Sequence, residues 1–115
     1  MLGWLSGTIL ATYQRGNRHL IVLRCGSVGY EVNVIQRDWN DITQHEERAY
    51  WIHQVCQNDD TILYGFQSLS TRELFRTLIS VNGVGPQVGL ALLQECSVED
   101  LSLIHISEPT RLRSL

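Results

Sequence analysis

"VNGVGPQVGLALL", residues Val81–Leu93, sets two glycines around a valine, follows them with a proline, and runs on into small and branched apolar residues. Asn82 and Gly83 tolerate left-handed backbone angles and suit the end of one helix. Pro86 suits the first turn of the next, where its missing N–H costs nothing. A helix is therefore predicted on each side of the turn. Upstream, "SLSTRELFRTLISV" spaces Ser70 and Glu73 as a capping box and puts Leu74, Phe75, Leu78 and Ile79 on one face, predicting a helix from Ser70 to about Val81. Ser97 and Asp100 repeat the S-x-x-D start, so a third helix is predicted there.

The turn itself has two readings. Gly83 and Gly85 leave the backbone uncovered, and the helix opened by Pro86 directs unpaired N–H groups outward from residues such as Gln87 and Val88. Such an end is an anion cradle, because amides and the partial positive charge of the helix bind phosphate oxygens without any basic side chain. A packing turn between two helices would use the same glycines and proline, and the turn alone does not separate the two.

Toward the N-terminus the composition changes. Residues 7–13, 19–25, 28–34, 48–55 and 61–66 are short, rich in β-branched and aromatic residues, and separated by turn pairs such as Gly16-Asn17 and Gly26-Ser27. The first three read as a meander, and Ile35 to Glu47 reads as a longer polar connection before the fourth strand. Five short strands are too few for a large sandwich but can close into a small Greek-key barrel without exposed edges. The expected fold is therefore β plus α: a five-stranded OB-fold barrel over residues 1–66, followed by a small all-α helix-hairpin-helix domain over residues 67–100. The last stretch, "LSLIHISEPTR" at 101–111, is similar to a translated sequencing adapter. Residues 101–115 are accordingly expected to be a non-native tail outside the fold.

Composition narrows the chemistry. The chain of 115 residues is 43% apolar and 18% charged, and no apolar run is long enough for a membrane span. No signal-peptide pattern opens it, so a cytoplasmic location is expected. Cys25, Cys56 and Cys96 are odd in number and widely spaced, which argues for reduced, partly buried thiols. His53 and Cys56 form an H-x-x-C pair without a second pair to complete tetrahedral zinc, so no metal is expected. There is no lysine, hence no G-x-x-x-x-G-K-[ST] phosphate loop and no amine for a Schiff base. Residues 1–100 hold seven arginines against eleven carboxylates. Any binding of nucleic acid must then rest on local geometry, because a basic surface is lacking.

The hairpin "NGVGPQVGLALL" resembles a helix-hairpin-helix motif, and "MLGWLSGTI", "GSVGYEV" and "LYGF" resemble the barrel signature of the RuvA family, in order over residues 1–100. That resemblance implies a non-catalytic subunit without a cofactor. It would bind four-way (Holliday) junction DNA as a homotetramer in recombination and repair and present it to the hexameric ATPase RuvB, with the resolvase RuvC as a further implied partner. It places the phosphate grip at Gly83, Val84, Gly85, Gln87 and Val88. Gln87 stands where the family often has a basic residue. The family's acidic pin, which would repel phosphates at the junction centre, aligns on Asn58 and Asp59 with Asp60 following as an additional acid, so the pin is half-neutral or displaced to Asp59 and Asp60; Asn-Asp-Asp is also ordinary turn composition. Arg72 and Arg76, four apart on the side of the first helix taken as exposed, are secondary DNA candidates. The second hairpin and the RuvB-contacting C-terminal domain implied by the family are missing, so the chain reads as truncated.

Two other classes compete. A generic OB-fold module for single strands or a protein partner would use stacking aromatics, yet Trp4, Trp39 and Trp51 are sparse and are read as packing residues. A hairpin-containing glycosylase or nuclease would need a catalytic lysine or paired carboxylates beyond the hairpin, and neither appears before Leu101.

Overall fold

The computed structural model describes residues 1–95. The third helix expected from Ser97, the segment 101–115 and Cys96 lie outside the described residues. Five strands, β1 (Trp4–Arg15), β2 (Arg18–Cys25), β3 (Val28–Val34), β4 (Glu47–Gln57) and β5 (Asp60–Phe66), close into a barrel in the order β1-β2-β3-β5-β4. Two-residue turns set the register. Gly16 and Gly26 each take positive φ (64° and 68°) at the first central position of a hairpin, with Arg15 opposite Arg18 and Cys25 opposite Val28. Such turns match the right-handed twist of the strands they join.

Closure depends on β1, which pairs with β4 from Trp4 to Thr8 and with β2 from Thr8 to Arg15. A register shift between Ile9 and Ala11 bends it between the two partners. On the far side β3 and β5 run parallel, Val32 opposite Leu63 and Val34 opposite Gly65. Ile9, Ile21, Leu23, Val32, Tyr50 and Ile52 fill the barrel and are fully buried.

The crossover from β3 to β4 is not wholly irregular, as its polar composition suggested: Gln36–Asn40 form a short helix, α1. None of its five residues is fully buried and it carries no side-chain N-cap, so no periodicity announces it. Tertiary contact holds it instead. Trp39 donates Nε1–H to the Leu20 carbonyl at 3.1 Å and meets His19 edge-on, with ring centroids 5.1 Å apart.

Two further helices follow, α2 (Leu69–Ile79) and α3 (Pro86–Glu95). The start of α2 differs from the capping box read at Ser70 and Glu73. Ser68 is the N-cap, its hydroxyl accepting from the Thr71 amide at 3.2 Å, and Glu73 turns to Arg72 and Arg76 instead. Ser68 wins because its backbone is extended (φ −131°, ψ 153°), the geometry an N-cap requires. At the other end the helix stops at Ile79, two residues before the expected limit.

A second apolar cluster joins these helices to one end of the barrel. Phe75 is fully buried between Tyr64 and Phe66, at ring-centroid distances of 5.4 and 4.9 Å, with Ile35, Leu90 and Leu93 around it. Gly89 lets α3 come close: a Cβ there would stand 3.0 Å from Ile79 Cγ2 and 3.1 Å from Phe75 Cε1. The helices therefore share their core with the barrel. None of the described helices is long and apolar enough to cross a membrane.

Candidate nucleic-acid interface

The turn between α2 and α3 is exposed at Asn82, Gly83 and Gly85. Gly83 has φ 86°, which strains any residue with a Cβ. Gly85 has no such requirement, and a Cβ built on it meets nothing within 4 Å. Two glycines that look equivalent in sequence thus do different work: the first shapes the chain, while the second leaves open space ahead of α3. Among the described residues the amides of Gly83, Gly85, Gln87 and Val88 donate to no protein acceptor. The Val84 amide is different, since it donates to the Val81 carbonyl at 3.1 Å. It closes the turn and is not free for an external ligand, which corrects its place among the main-chain donors. Three unpaired amides lie in the cap and first turn of a ten-residue helix, where the helix dipole favours an anion.

The side chain of Gln87 does not extend the same cradle. Its Nε2 is buried, and the residue lines a pocket on the barrel side of α3. Val88 is 48% exposed and presents an apolar surface beside the amides.

Asn58 and Asp59 form the two-residue turn of the β4–β5 hairpin, both at positive φ (48° and 67°), with Gln57 opposite Asp60. This backbone selects Asn and Asp for conformational reasons. Even so, both Asp59 and Asp60 are exposed at the tip, and among the described residues neither pairs with an arginine. The tip is a projecting negative point whatever its conformational origin.

Arg72 and Arg76 do not lie on a free helix face as expected. The Arg72 side chain is 13% exposed; its Nη1 donates to the carbonyls of Gly3 (3.0 Å) and Ile52 (3.4 Å), and its guanidinium lies 5.5 Å from the centre of the Trp51 ring. Arg76 donates Nε–H to His53 Nδ1 at 3.1 Å. Glu73 bridges the two arginines, at 3.1 and 3.4 Å. Both side chains latch α2 onto the barrel, where β1 begins beside β4. Helical spacing marked their common face, but it could not say that the barrel lay under it. Replacing Arg72 with methionine should lower stability by about 2 kcal/mol, since hydrogen bonds to a charged group typically contribute ~1.5–3 kcal/mol. Urea denaturation measures it.

The same latch predicts a pH response. Partial burial, and then the neighbouring Arg76 and Arg72 charges, hold the His53 imidazole below its ordinary pKa. Accepting from Arg76 also requires a neutral Nδ1. In the fold the ring is harder to protonate than in the unfolded chain, so between the two pKa values the unfolded state binds more protons. Stability is therefore undiminished above about pH 6.5, the free imidazole value. It falls as pH drops through that value toward the lower folded one. Urea midpoints between roughly pH 7.5 and 5.5 should decline in this chain, and the decline should be smaller in His53→Asn.

Of the tryptophans, Trp39 packs as expected and Trp51 lies under Arg72, but Trp4 is 51% exposed. It sits directly opposite Trp51 in the β1–β4 register, on the outer face of the barrel. Cys56 is exposed, against the expectation of a partly buried thiol, and Cys25 is half-buried, with burial pushing its thiol pKa up.

Comparison with known proteins converges on one family. The model of the RuvA N terminal domain matches residues 1–65. The Holliday junction branch migration complex subunit RuvA of Parasynechococcus marenigrum (strain WH8102) is 45% identical over 116 residues, covering 99% of this chain and 57% of that protein. Its counterpart in Synechococcus sp. (strain CC9605) is 50% identical over 101 residues, 88% of this chain and 47% of its own length. A third, from Prochlorococcus marinus (strain MIT 9313), is 45% identical over 103 residues, with 88% and 45% covered. The chain spans about half the length of the curated relatives it matches.

Proposed function

The chain belongs to the RuvA family, and from that premise we propose that it is the DNA-gripping part of a non-catalytic subunit that binds four-way junctions and supports their branch migration. The observation that carries the reading is the set of unpaired amides at Gly83, Gly85, Gln87 and Val88, in the turn and first turn of α3 around its N-terminus. Backbone donors of this kind hold phosphates irrespective of base sequence, which suits a protein that must follow a moving junction. They also explain how a chain with seven arginines against eleven carboxylates in its first hundred residues, and no lysine, can bind DNA at all.

The exposed Asp59 and Asp60 have the complementary role. Carboxylates at a hairpin tip repel phosphate, so in an assembly they favour DNA whose strands part around them over continuous duplex. Fourfold symmetry of the junction calls for a homotetramer, cytoplasmic like its DNA substrate. Motor force would come from a partner ATPase of the RuvB type, with a RuvC-type resolvase acting on the same junction.

Gel retardation by the full-length protein tests the reading, with a four-way junction set against linear duplex of the same sequence and against single strands. Preferential retardation of the junction is expected. Equal retardation of junction and duplex overturns it, and preference for single strands would favour a stacking OB module built around Trp4.

A further inference from the structure

Between the start of β2 and the barrel-facing side of α3 lies a pocket of about 190 Å³, whose wall includes Arg18, His19, Gln36, Gln87, Leu90 and Gln94. Among the described residues five buried side-chain polar atoms have no hydrogen-bond partner, and three of them belong to residues of this wall: Arg18 Nε, His19 Nε2 and Gln87 Nε2. His19 is only 8% exposed. A buried polar atom without a partner costs stability, so three on one small wall call for a common ligand.

The chemistry of the wall says which ligand. Arg18 is a permanent cation with an unused N–H, and the Gln87 amide nitrogen is a donor. Gln94 already accepts from the Arg37 amide through Oε1 at 3.0 Å, which leaves its NH2 as the remaining hydrogen-bonding group. No carboxylate among the described residues lines the pocket. Gln87 is the second residue of α3, so the positive end of that helix borders the same space. Unpartnered donors on Arg18 and Gln87, one of them a fixed positive charge, together with a helix N-terminus and no carboxylate, favour an oxyanion. Size allows it: a water occupies about 30 Å³ of liquid, so the space takes a tetrahedral anion with part of its hydration.

We propose that this pocket is a binding site for a phosphate-type oxyanion, held by Arg18, His19 and Gln87. It is separate from the main-chain cradle, being built of side chains on the barrel side of α3, and it does not depend on the DNA reading. The shared chemistry is a phosphate group, either the free ion or a backbone phosphodiester.

Titration of the ¹⁵N-labelled 115-residue chain with inorganic phosphate, at ionic strength held constant with chloride, tests it by NMR. Saturable shifts are expected at the Arg18 Nε–H and the Gln87 side-chain amide, with a Kd of roughly 1 mM. Arg18→Gln and Gln87→Ala should each weaken binding about tenfold, while Arg15→Gln, at an exposed arginine outside the pocket, should leave it unchanged. Folding of each variant is read from the same spectra, and two independent variants guard against one that unfolds. A response that does not saturate, or that persists at full strength in both folded pocket variants, overturns the proposal. A second arm adds linear duplex in place of phosphate. If the site serves backbone phosphate the same resonances move and inorganic phosphate competes; if it serves the free ion they stay still and phosphate binds undisturbed. Failure of duplex to bind anywhere would count against the proposed function and leave the phosphate arm standing.

Discussion

Replacing Phe75 with alanine is expected to cost about 3–5 kcal/mol, the range for large aromatic truncations in cores. Its ring is fully buried and lies within 5.5 Å, centre to centre, of His53, Tyr64 and Phe66, so the cavity left behind would open on three neighbours at once. Gly89 makes the loss worse. The close approach of α3 is directed at Phe75 and Ile79, and without the ring α3 has nothing to close upon. Stability of this order is a large fraction of what a small domain possesses. Urea denaturation should therefore show either global unfolding at low denaturant or a two-step transition in which the helices leave the barrel first. A variant as stable as the parent would refute the shared core.

Gly85→Leu should do the opposite, sparing the fold and damaging binding. Gly85 lacks positive φ and has open space where a side chain would go, so the fold loses little beyond a good N-cap residue, ~1 kcal/mol. The leucine would instead occupy the approach to the amides of Gly85, Gln87 and Val88. Losing two charge-assisted hydrogen bonds to phosphate corresponds to about 2 kcal/mol or more, roughly a 30-fold drop in junction affinity. Circular dichroism and gel retardation on one preparation separate the two effects. Unchanged affinity in a folded variant would remove the main-chain grip. Gly83 is the poorer test, because its φ of 86° makes any substitution a folding defect first.

Both predictions depend on a distinction that pattern reading makes only in part. Local chemistry was legible from residue order alone. β-branched runs punctuated by Gly16-Asn17, Gly26-Ser27 and Asn58-Asp59 specify five strands and three tight hairpins, since such turns need residues that accept positive φ. Leu74, Phe75, Leu78 and Ile79 at helical spacing specify the buried face of α2, and Gly83 with Pro86 specify where one helix stops and the next starts. For the bare turn the same local rules allowed two readings, an anion cradle and a packing turn between helices.

What faces what was decided only by the tertiary structure. Arg72 and Arg76 read as a solvated stripe until the β1–β4 corner was found beneath them, offering the Gly3 and Ile52 carbonyls and the His53 ring as partners. The Val84 amide looked as free as its neighbours until the turn folded back on Val81. Gln87 is far along the chain from Arg18 and His19, and only barrel closure with α3 docked brings these three residues, each with an unpaired nitrogen, to one pocket wall. The physical reason is range. Backbone preferences and side-chain periodicity act within a few residues and are written locally, whereas burial and the pairing of polar groups depend on which distant segments meet once apolar surface has left water.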